Sequence, residues 1–152
     1  MPKQDIEKLL QEGKTISIKP QGSSMYPILV EGRDRAIIEP VDAASLKRGD
    51  VVLYRRDEDV PAGGILVLHR IYKCKKDGFY MVGDNQKEIE GPLRADQIKG
   101  IMVAMERNGK FISVNNPVYI ILTRIWLLFR PLRPTISRIL AKIKRKIYVK
   151  NK

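Results

Sequence analysis

Over the first 116 residues, short segments alternate apolar and polar side chains, and turn residues separate them. A two-residue period rich in Val, Ile, Leu and Tyr predicts strands. The predicted strands, preceded by a short helix over Asp5–Leu10, are Thr15–Lys19, Arg35–Glu39, Val51–Arg55, Ile65–Lys73, Phe79–Val82, Ile98–Glu106 and Lys110–Val114. Asn108-Gly109 favours a hairpin, and Gly91-Pro92 is predicted to be a turn. The sequence therefore predicts a mainly β protein, built as a curled antiparallel sheet system or a small barrel.

The pattern becomes helical after Pro117. Val118–Arg130 is a mostly apolar helical segment, which Pro131 and Pro134 interrupt. Beyond them, apolar side chains recur at offsets of three, four, seven and eleven, which places them on one face of a second helix. They are Ile136, Ile139, Leu140, Ile143 and Ile147. We therefore divide the chain into a β domain, residues 1–116, and an amphipathic helical tail, residues 117–152.

The net charge of +12 is concentrated in that tail. Residues 1–116 hold 19 of the Lys and Arg residues and all 17 acids, whereas residues 117–152 hold ten cations and no acid. A nearly neutral β domain argues against duplex nucleic-acid binding, and phosphate contacts by the tail would be unspecific. An acid-free polar face beside an apolar stripe favours an anionic membrane surface, contacted through residues 118–148. The competing interpretation is a helix docked on its own β domain.

Composition also narrows the chemistry and the location. The chain has one cysteine, Cys74, and one histidine, so a disulfide framework and a Cys- or His-based metal site are excluded, and we expect no cofactor. Charges interrupt every apolar run in the first twenty residues, which argues against a secretory signal. Val118–Phe129 contains Arg124 and is too short to span a membrane. We expect a cytoplasmic chain, peripheral on the cytoplasmic face of the membrane.

Three polar residues lie at or near the edges of predicted strands. Ser24 follows the first strand on a turn with Gly22 and Pro27, His69 lies in the fourth strand, and Asp84 follows the fifth. Taken singly, these are a Ser-rich turn, a structural histidine and a Gly-Asp-Asn turn. Together they supply a nucleophile, a base and an acid, because a neutral imidazole can take the serine proton and a carboxylate can fix its tautomer.

The segments that carry these residues resemble the boxes of the signal peptidase I superfamily. They match in order and spacing: Gly22–Pro27 (GSSMYP), Leu46–Tyr54 (LKRGDVVLY), His69–Ile71 (HRI), Gly83–Asn85 (GDN) and Ile98–Ile101 (IKGI), within residues 15–112. A histidine in place of a lysine is similar to the endoplasmic-reticulum-type branch. The resemblance implies a mainly β catalytic fold shared with LexA-type autocleaving repressors. It also implies that Ser24 is the nucleophile and His69 the general base.

The resemblance leaves the acid open. Asp84 matches the GDN box and is preferred, whereas Glu90 sits where the endoplasmic-reticulum enzymes carry a catalytic aspartate. An Asp84 partner is expected to raise the pKa of His69 above its reference value of about 6.5. Gly22 stands where many signal peptidases place a serine that stabilises the oxyanion, so the backbone N–H of Ser24 is the expected donor.

These residues predict a serine endopeptidase that cleaves the leader or signal-like peptide of a precursor. A self-cleaving repressor would need a DNA-binding domain, and the 21 residues ahead of Gly22 cannot hold a helix-turn-helix. The alternative from another class is a non-catalytic membrane-associated or peptide-binding module that keeps the fold. The presence of all three residue types, Ser24, His69 and Asp84, favours the enzyme.

Overall fold

Antiparallel strand pairing organises the chain. The computed structural model describes residues 3–56 and 64–129, and within these ranges eight strands form one sheet between two short helices. The elements are α1 (Lys3–Gln11), β1 (Ile16–Ile18), β2 (Asp34–Glu39), β3 (Val51–Arg56), β4 (Ile65–Lys75), β5 (Gly78–Val82), β6 (Glu90–Leu93), β7 (Ile98–Arg107), β8 (Lys110–Ser113) and α2 (Pro117–Leu128). The strand order is β1-β2-β7-β3-β4-β5-β6, and β8 pairs with β7.

The predicted mainly β architecture is confirmed. Each of the seven predicted strands forms, with ends that move by no more than two residues. The predicted hairpin also forms, because Arg107 pairs with Lys110 across a two-residue turn. Asn108 and Gly109 in that turn have φ angles of 52° and 74°, the positive values that a tight hairpin turn requires at both central positions.

Strand β6 is the element that the sequence pattern missed, and the turn predicted at Gly91-Pro92 is wrong. This strand lies at the edge of the sheet, where a proline can leave its missing N–H on the unpaired side. Gly91 has a φ of 139°, and a Cβ there would lie 2.6 Å from the carbonyl oxygen of Phe79. The residues that signal a turn thus allow a close, irregular pairing with β5.

Strand β3 is buried on both faces and separates two apolar clusters. Val51 and Leu53 belong to the first cluster, whereas Val52 and Tyr54 belong to the second. Because side chains alternate across a strand, this run of four buried residues supplies both faces of the sheet. Strand β4 pairs with β3 along six residues, so its side chains are divided between the same two faces.

Helix α2 begins at the boundary predicted from the change in composition. Asn116 caps it, since its side-chain oxygen accepts hydrogen bonds from the N–H groups of Val118 and Tyr119, and Pro117 occupies the first turn. Tyr119 packs in the first apolar cluster, so α2 lies against the β domain. The second helix predicted beyond Pro134 lies outside the described residues.

The part of the chain that the structure describes contains no candidate membrane-spanning helix. No helix there combines the length and the apolar character that a span requires.

A buried carboxylate ties the loop between β1 and β2 to β7. Asp34 is 2% exposed and accepts hydrogen bonds from Arg33, from Arg107 and from the N–H of Val30. Burial alone would raise the pKa of Asp34, but these donors outweigh it and hold the pKa well below its ordinary range. Arg107 also donates to the carbonyl oxygen of Ile28 at 2.8 Å, which fixes the loop itself.

We expect Asp34→Asn to lower the free energy of unfolding by about 1–3 kcal/mol, because the neutral amide weakens every one of these charge-assisted bonds. Asp96→Asn is the matched control, since its pair with Arg94 is exposed and screened by solvent and should have a much smaller effect. Urea unfolding at neutral pH measures both. Equal losses in the two variants would contradict the role given to Asp34.

Candidate active site

Ser24 lies in the loop between β1 and β2, and core residues hold that loop. Met25 and Leu29 are 3% and 1% exposed in the first apolar cluster, and the N–H of Leu29 donates to the carbonyl oxygen of Met25 at 2.9 Å. Ser24 itself is half-buried, whereas Ser23 is exposed. The two adjacent serines therefore occupy different environments, as expected for neighbours on a tightly turned backbone.

The backbone of Ser24 contacts the segment that follows β5. Its carbonyl oxygen accepts a hydrogen bond of 2.7 Å from the N–H of Asn85. A Cβ at Gly83 would lie 2.7 Å from the same oxygen, closer than real Cβ contacts allow. Gly83 is therefore required by close packing, and a side chain there would displace the Ser24 loop.

The β4–β5 register ends next to this contact. Its last pair joins Arg70 to Val82, so His69 and Gly83 are the next residues along the two segments. His69 pairs with Val52 of the second apolar cluster, whereas Met25, the neighbour of Ser24, belongs to the first. The predicted nucleophile and base therefore lie on neighbouring segments, and among the described residues no hydrogen bond joins Ser24 to His69.

Asp84 lies on the opposite face of β4 from His69. Both of its carboxylate oxygens accept hydrogen bonds of 2.8 Å from the guanidinium of Arg70, and the two side chains are 0% and 1% exposed. Burial by itself would lower the pKa of Arg70, but Asp84 outweighs it and raises the pKa. The residue predicted as the catalytic acid thus forms a buried ion pair, because adjacent residues of β4 send Arg70 and His69 to opposite faces.

A different carboxylate lies behind the imidazole. Nδ1 of His69, the atom that a triad acid would hold, is 3.1 Å from the hydroxyl oxygen of Tyr54. That hydroxyl donates to Glu90 at 2.8 Å, and Glu90 accepts a further bond of 2.7 Å from Arg56. Tyr54 therefore connects His69 to Glu90, the residue that sequence analysis left as the other candidate acid.

Protonation states follow from this chain of contacts. Burial would raise the pKa of Glu90, but hydrogen bonds from Arg56 and Tyr54 outweigh it and lower the pKa, so the carboxylate is ionised at neutral pH. Burial and Glu90 together raise the pKa of Tyr54, which keeps its hydroxyl protonated. The single tyrosine proton is donated to Glu90, so Nδ1 of His69 must be the donor to the tyrosine oxygen. The imidazole then carries its proton on Nδ1 and leaves Nε2 unprotonated.

Burial dominates the titration of His69. The side chain is 3% exposed, and desolvation lowers its pKa to about 4, against which Glu90 and then Asp84 act in the opposite direction. Glu90 has the larger effect of the two carboxylates, in agreement with its connection through Tyr54. Asp84 does raise the pKa of His69, as expected, but burial and the charge of Arg56 outweigh both carboxylates, so the pKa lies below 6.5.

Tyr54, Arg56 and Arg70 contact the candidate site residues but were not predicted from the sequence. Tyr54 ends the LKRGDVVLY segment, and its position two residues after Val52 places it on the face that also carries His69. That relation depends on the register between β3 and β4, which the sequence does not fix. A tyrosine in a fully buried strand segment is the signal that was available, since a buried hydroxyl needs a hydrogen-bond partner.

An apolar groove of about 500 Å³ adjoins the Ser24 loop. Its walls include Pro27 and Ile28 from that loop and Leu122 and Trp126 from α2. The indole N–H of Trp126 donates to the carbonyl oxygen of Asp84 at 2.8 Å, which fixes one wall to the segment beneath Ser24. Among the described residues, no cluster of His, Cys, Asp or Glu could hold a metal ion.

No protein-family model, curated protein or solved structure matches this chain.

The low pKa of His69 predicts an acid-sensitive fold. The reference value for an unfolded histidine is about 6.5, so between pH 6.5 and 4 the unfolded chain binds more protons than the folded one. Stability should therefore be complete above pH 6.5 and fall as the pH drops towards 4, by about 3 kcal/mol in total.

Two measurements check this expectation. NMR of the imidazole is unambiguous because the chain has one histidine, and it should show a midpoint near pH 4. Urea unfolding between pH 7 and 4 should show the stability loss in the wild type and a smaller one in His69→Gln. An imidazole midpoint near 6.5 would contradict the burial of the ring.

Proposed function

We propose that this chain is a serine endopeptidase with Ser24 as nucleophile and His69 as general base. The observation that carries the proposal is the packing of the Ser24 backbone on Gly83 and Asn85, directly beyond β5, where His69 is the next residue of β4 after the last β4–β5 pair. The tautomer inferred for His69 supports it, because an unprotonated Nε2 is the atom that must accept the serine proton. The GSSMYP, HRI and GDN segments and the mainly β sheet agree with a LexA- or signal-peptidase-like catalytic fold.

In the proposed reaction, Oγ of Ser24 attacks the scissile carbonyl carbon while its proton passes to Nε2 of His69. The imidazolium returns that proton to the leaving amine as the peptide bond breaks, and water then hydrolyses the acyl-enzyme by the same two transfers. The backbone N–H of Ser24 contacts no acceptor among the described residues, so it is free to donate to the oxyanion.

Tyr54 and Glu90 act as positioning residues in this scheme. Nδ1–H of His69 donates to Tyr54, and the Glu90 carboxylate orients the tyrosine hydroxyl. The negative charge of Glu90 stabilises the imidazolium that forms in the transition state, through one intervening hydroxyl. Asp84, the acid preferred on sequence grounds, instead supports the segment on which Ser24 rests.

The proposed substrate is the leader or signal-like peptide of a precursor protein. The apolar groove beside the Ser24 loop offers a place for apolar side chains next to the scissile bond. We also propose that the chain acts on the cytoplasmic face of a membrane and does not bind nucleic acid specifically. The rival is a non-catalytic peptide-binding module of the same fold, which would keep the groove but not react with an acylating reagent.

We expect a fluorophosphonate probe to label the wild type and not Ser24→Ala. Ser23→Ala should keep most of the labelling, because Ser23 is exposed while Ser24 packs on the Gly83–Asn85 segment. Circular dichroism and urea unfolding establish that both variants fold. Equal labelling of all three proteins, or equal loss in both variants, would remove Ser24 from the mechanism and favour the binding module.

We expect Tyr54→Phe and Glu90→Gln each to lower kcat/KM for peptide cleavage at least tenfold. Each substitution removes or weakens a hydrogen bond that keeps the His69 proton on Nδ1. Tyr80→Phe and Asp77→Asn are matched controls, since Tyr80 donates to Asp77 in the same way at an exposed site. Nitrogen chemical shifts of His69 should show the tautomer in the wild type and a mixture in Tyr54→Phe.

The pH profile distinguishes a positioning role from a structural one. In the wild type the acid limb of kcat/KM should lie near the His69 pKa of about 4. Glu90→Gln should move that limb further down, because the carboxylate raises the His69 pKa. A larger rate loss in folded Asp84→Asn than in Glu90→Gln would return the acid role to Asp84.

A further inference from the structure

Within the described residues, helix α2 packs one of its faces on the β domain. Tyr119, Thr123 and Leu127 are buried against the sheet. The opposite side carries apolar residues at offsets of three, four, seven, ten and eleven, which form one stripe along the helix. This outer face consists of Val118, Ile121, Leu122, Ile125, Leu128 and Phe129, whose exposed fractions lie between 44% and 71%.

A stripe of this kind needs a partner. Helices that are apolar on all sides are normally buried on all sides, in a core or in lipid. Single exposed apolar residues are common on protein surfaces, whereas a continuous row marks an interaction site. Since the β domain covers only the Tyr119 side, the outer face of α2 is where that partner binds.

We propose that the outer face of α2 docks on an anionic lipid bilayer, lying in the plane of the interface. Charge identifies the occupant. Arg124 is exposed at the edge of the stripe, and residues 130–152 bring nine further Lys and Arg and no acid. An apolar helix face followed by an acid-free basic segment matches the acyl and headgroup layers of an anionic membrane.

The same charge disfavours the other two occupants. A second copy would bring another ten cations against the first ten. The apolar stripe of the tail at Ile136–Ile147 could cover the outer face, but that packing would bring the tail cations close to Arg124, and the tail itself holds no acid. A bilayer covers the apolar face with acyl chains and pairs the cations with anionic headgroups. This inference rests on the membrane association proposed above and specifies the surface that makes it, but it does not depend on the peptidase activity.

Docking in this orientation places the candidate active site beside the membrane. Val118 and Leu122 of the outer face share the apolar groove with Pro27 and Ile28 of the Ser24 loop. A peptide that partitions into the interface would therefore meet the groove without leaving the membrane surface.

Flotation of the full chain with vesicles tests the proposal. Binding to phosphatidylglycerol vesicles is expected, with binding to phosphatidylcholine vesicles at least tenfold weaker, and high salt should reduce the anionic binding without abolishing it. Ile121→Gln with Leu128→Gln should weaken binding at least tenfold. Phe111→Gln is the matched control and should bind like the wild type, because Phe111 is 69% exposed but belongs to β8 and not to α2.

Further readouts separate the face from the tail and from self-association. Trp126 is the single tryptophan, so quenching by brominated lipid would report the approach of α2 itself. Vesicle binding that leaves Trp126 unquenched, or that survives the double substitution, would overturn docking by this face. A full chain that does not bind anionic vesicles would also overturn the proposal. So would a dimer, detected by sedimentation, that the double substitution dissociates. Ser24→Ala should bind vesicles like the wild type, so a failed peptidase assay leaves this result intact.

Discussion

The buried ion pair between Arg70 and Asp84 holds the parts of the candidate site together. The guanidinium donates to both Asp84 oxygens and to the carbonyl oxygen of Gly49, so three hydrogen bonds hold the side chain. Loss of either partner would leave an uncompensated buried charge, which costs about 3–5 kcal/mol. By fixing Asp84, the pair also fixes its neighbours in the chain. Asn85 then holds the Ser24 backbone, and the Asp84 carbonyl holds Trp126 of α2.

His69 is buried on the other face of β4, where its hydrogen-bond partner is a tyrosine hydroxyl and not a carboxylate. Arg70 is charged because a carboxylate contacts it directly. His69 is neutral because burial outweighs the effect of Glu90, which lies behind the hydroxyl of Tyr54. The imidazole is thus kept as an unprotonated base at neutral pH, and the carboxylate is near enough to stabilise it once it is charged. Of these two adjacent residues in β4, Arg70 therefore stabilises the structure and His69 serves the proposed chemistry.

Local periodicity was enough to predict most of the strands and to select candidate site residues. The two-residue alternation located seven strands, and the edge strand β6 was missed because Gly91 and Pro92 are ordinary turn residues whose strand pairing depends on contacts with β5. The positions of Ser24 and His69 follow from strand ends and the order of segments. The partner of His69 could not be predicted, because it depends on the register of β3 with β4 and on which face each side chain takes.

The Gly83-Asp84-Asn85 segment shows why a matched motif does not assign a role. Each of its residues has a structural explanation independent of catalysis: Gly83 leaves room for the Ser24 carbonyl, Asp84 neutralises Arg70, and the Asn85 N–H holds the loop. A segment that presents a nucleophile must be as rigid as one that supplies an acid, so either role accounts for these residue types. What distinguishes the two is the face on which the carboxylate lies. Here it is the face of Arg70, which leaves Glu90 as the carboxylate connected to the imidazole.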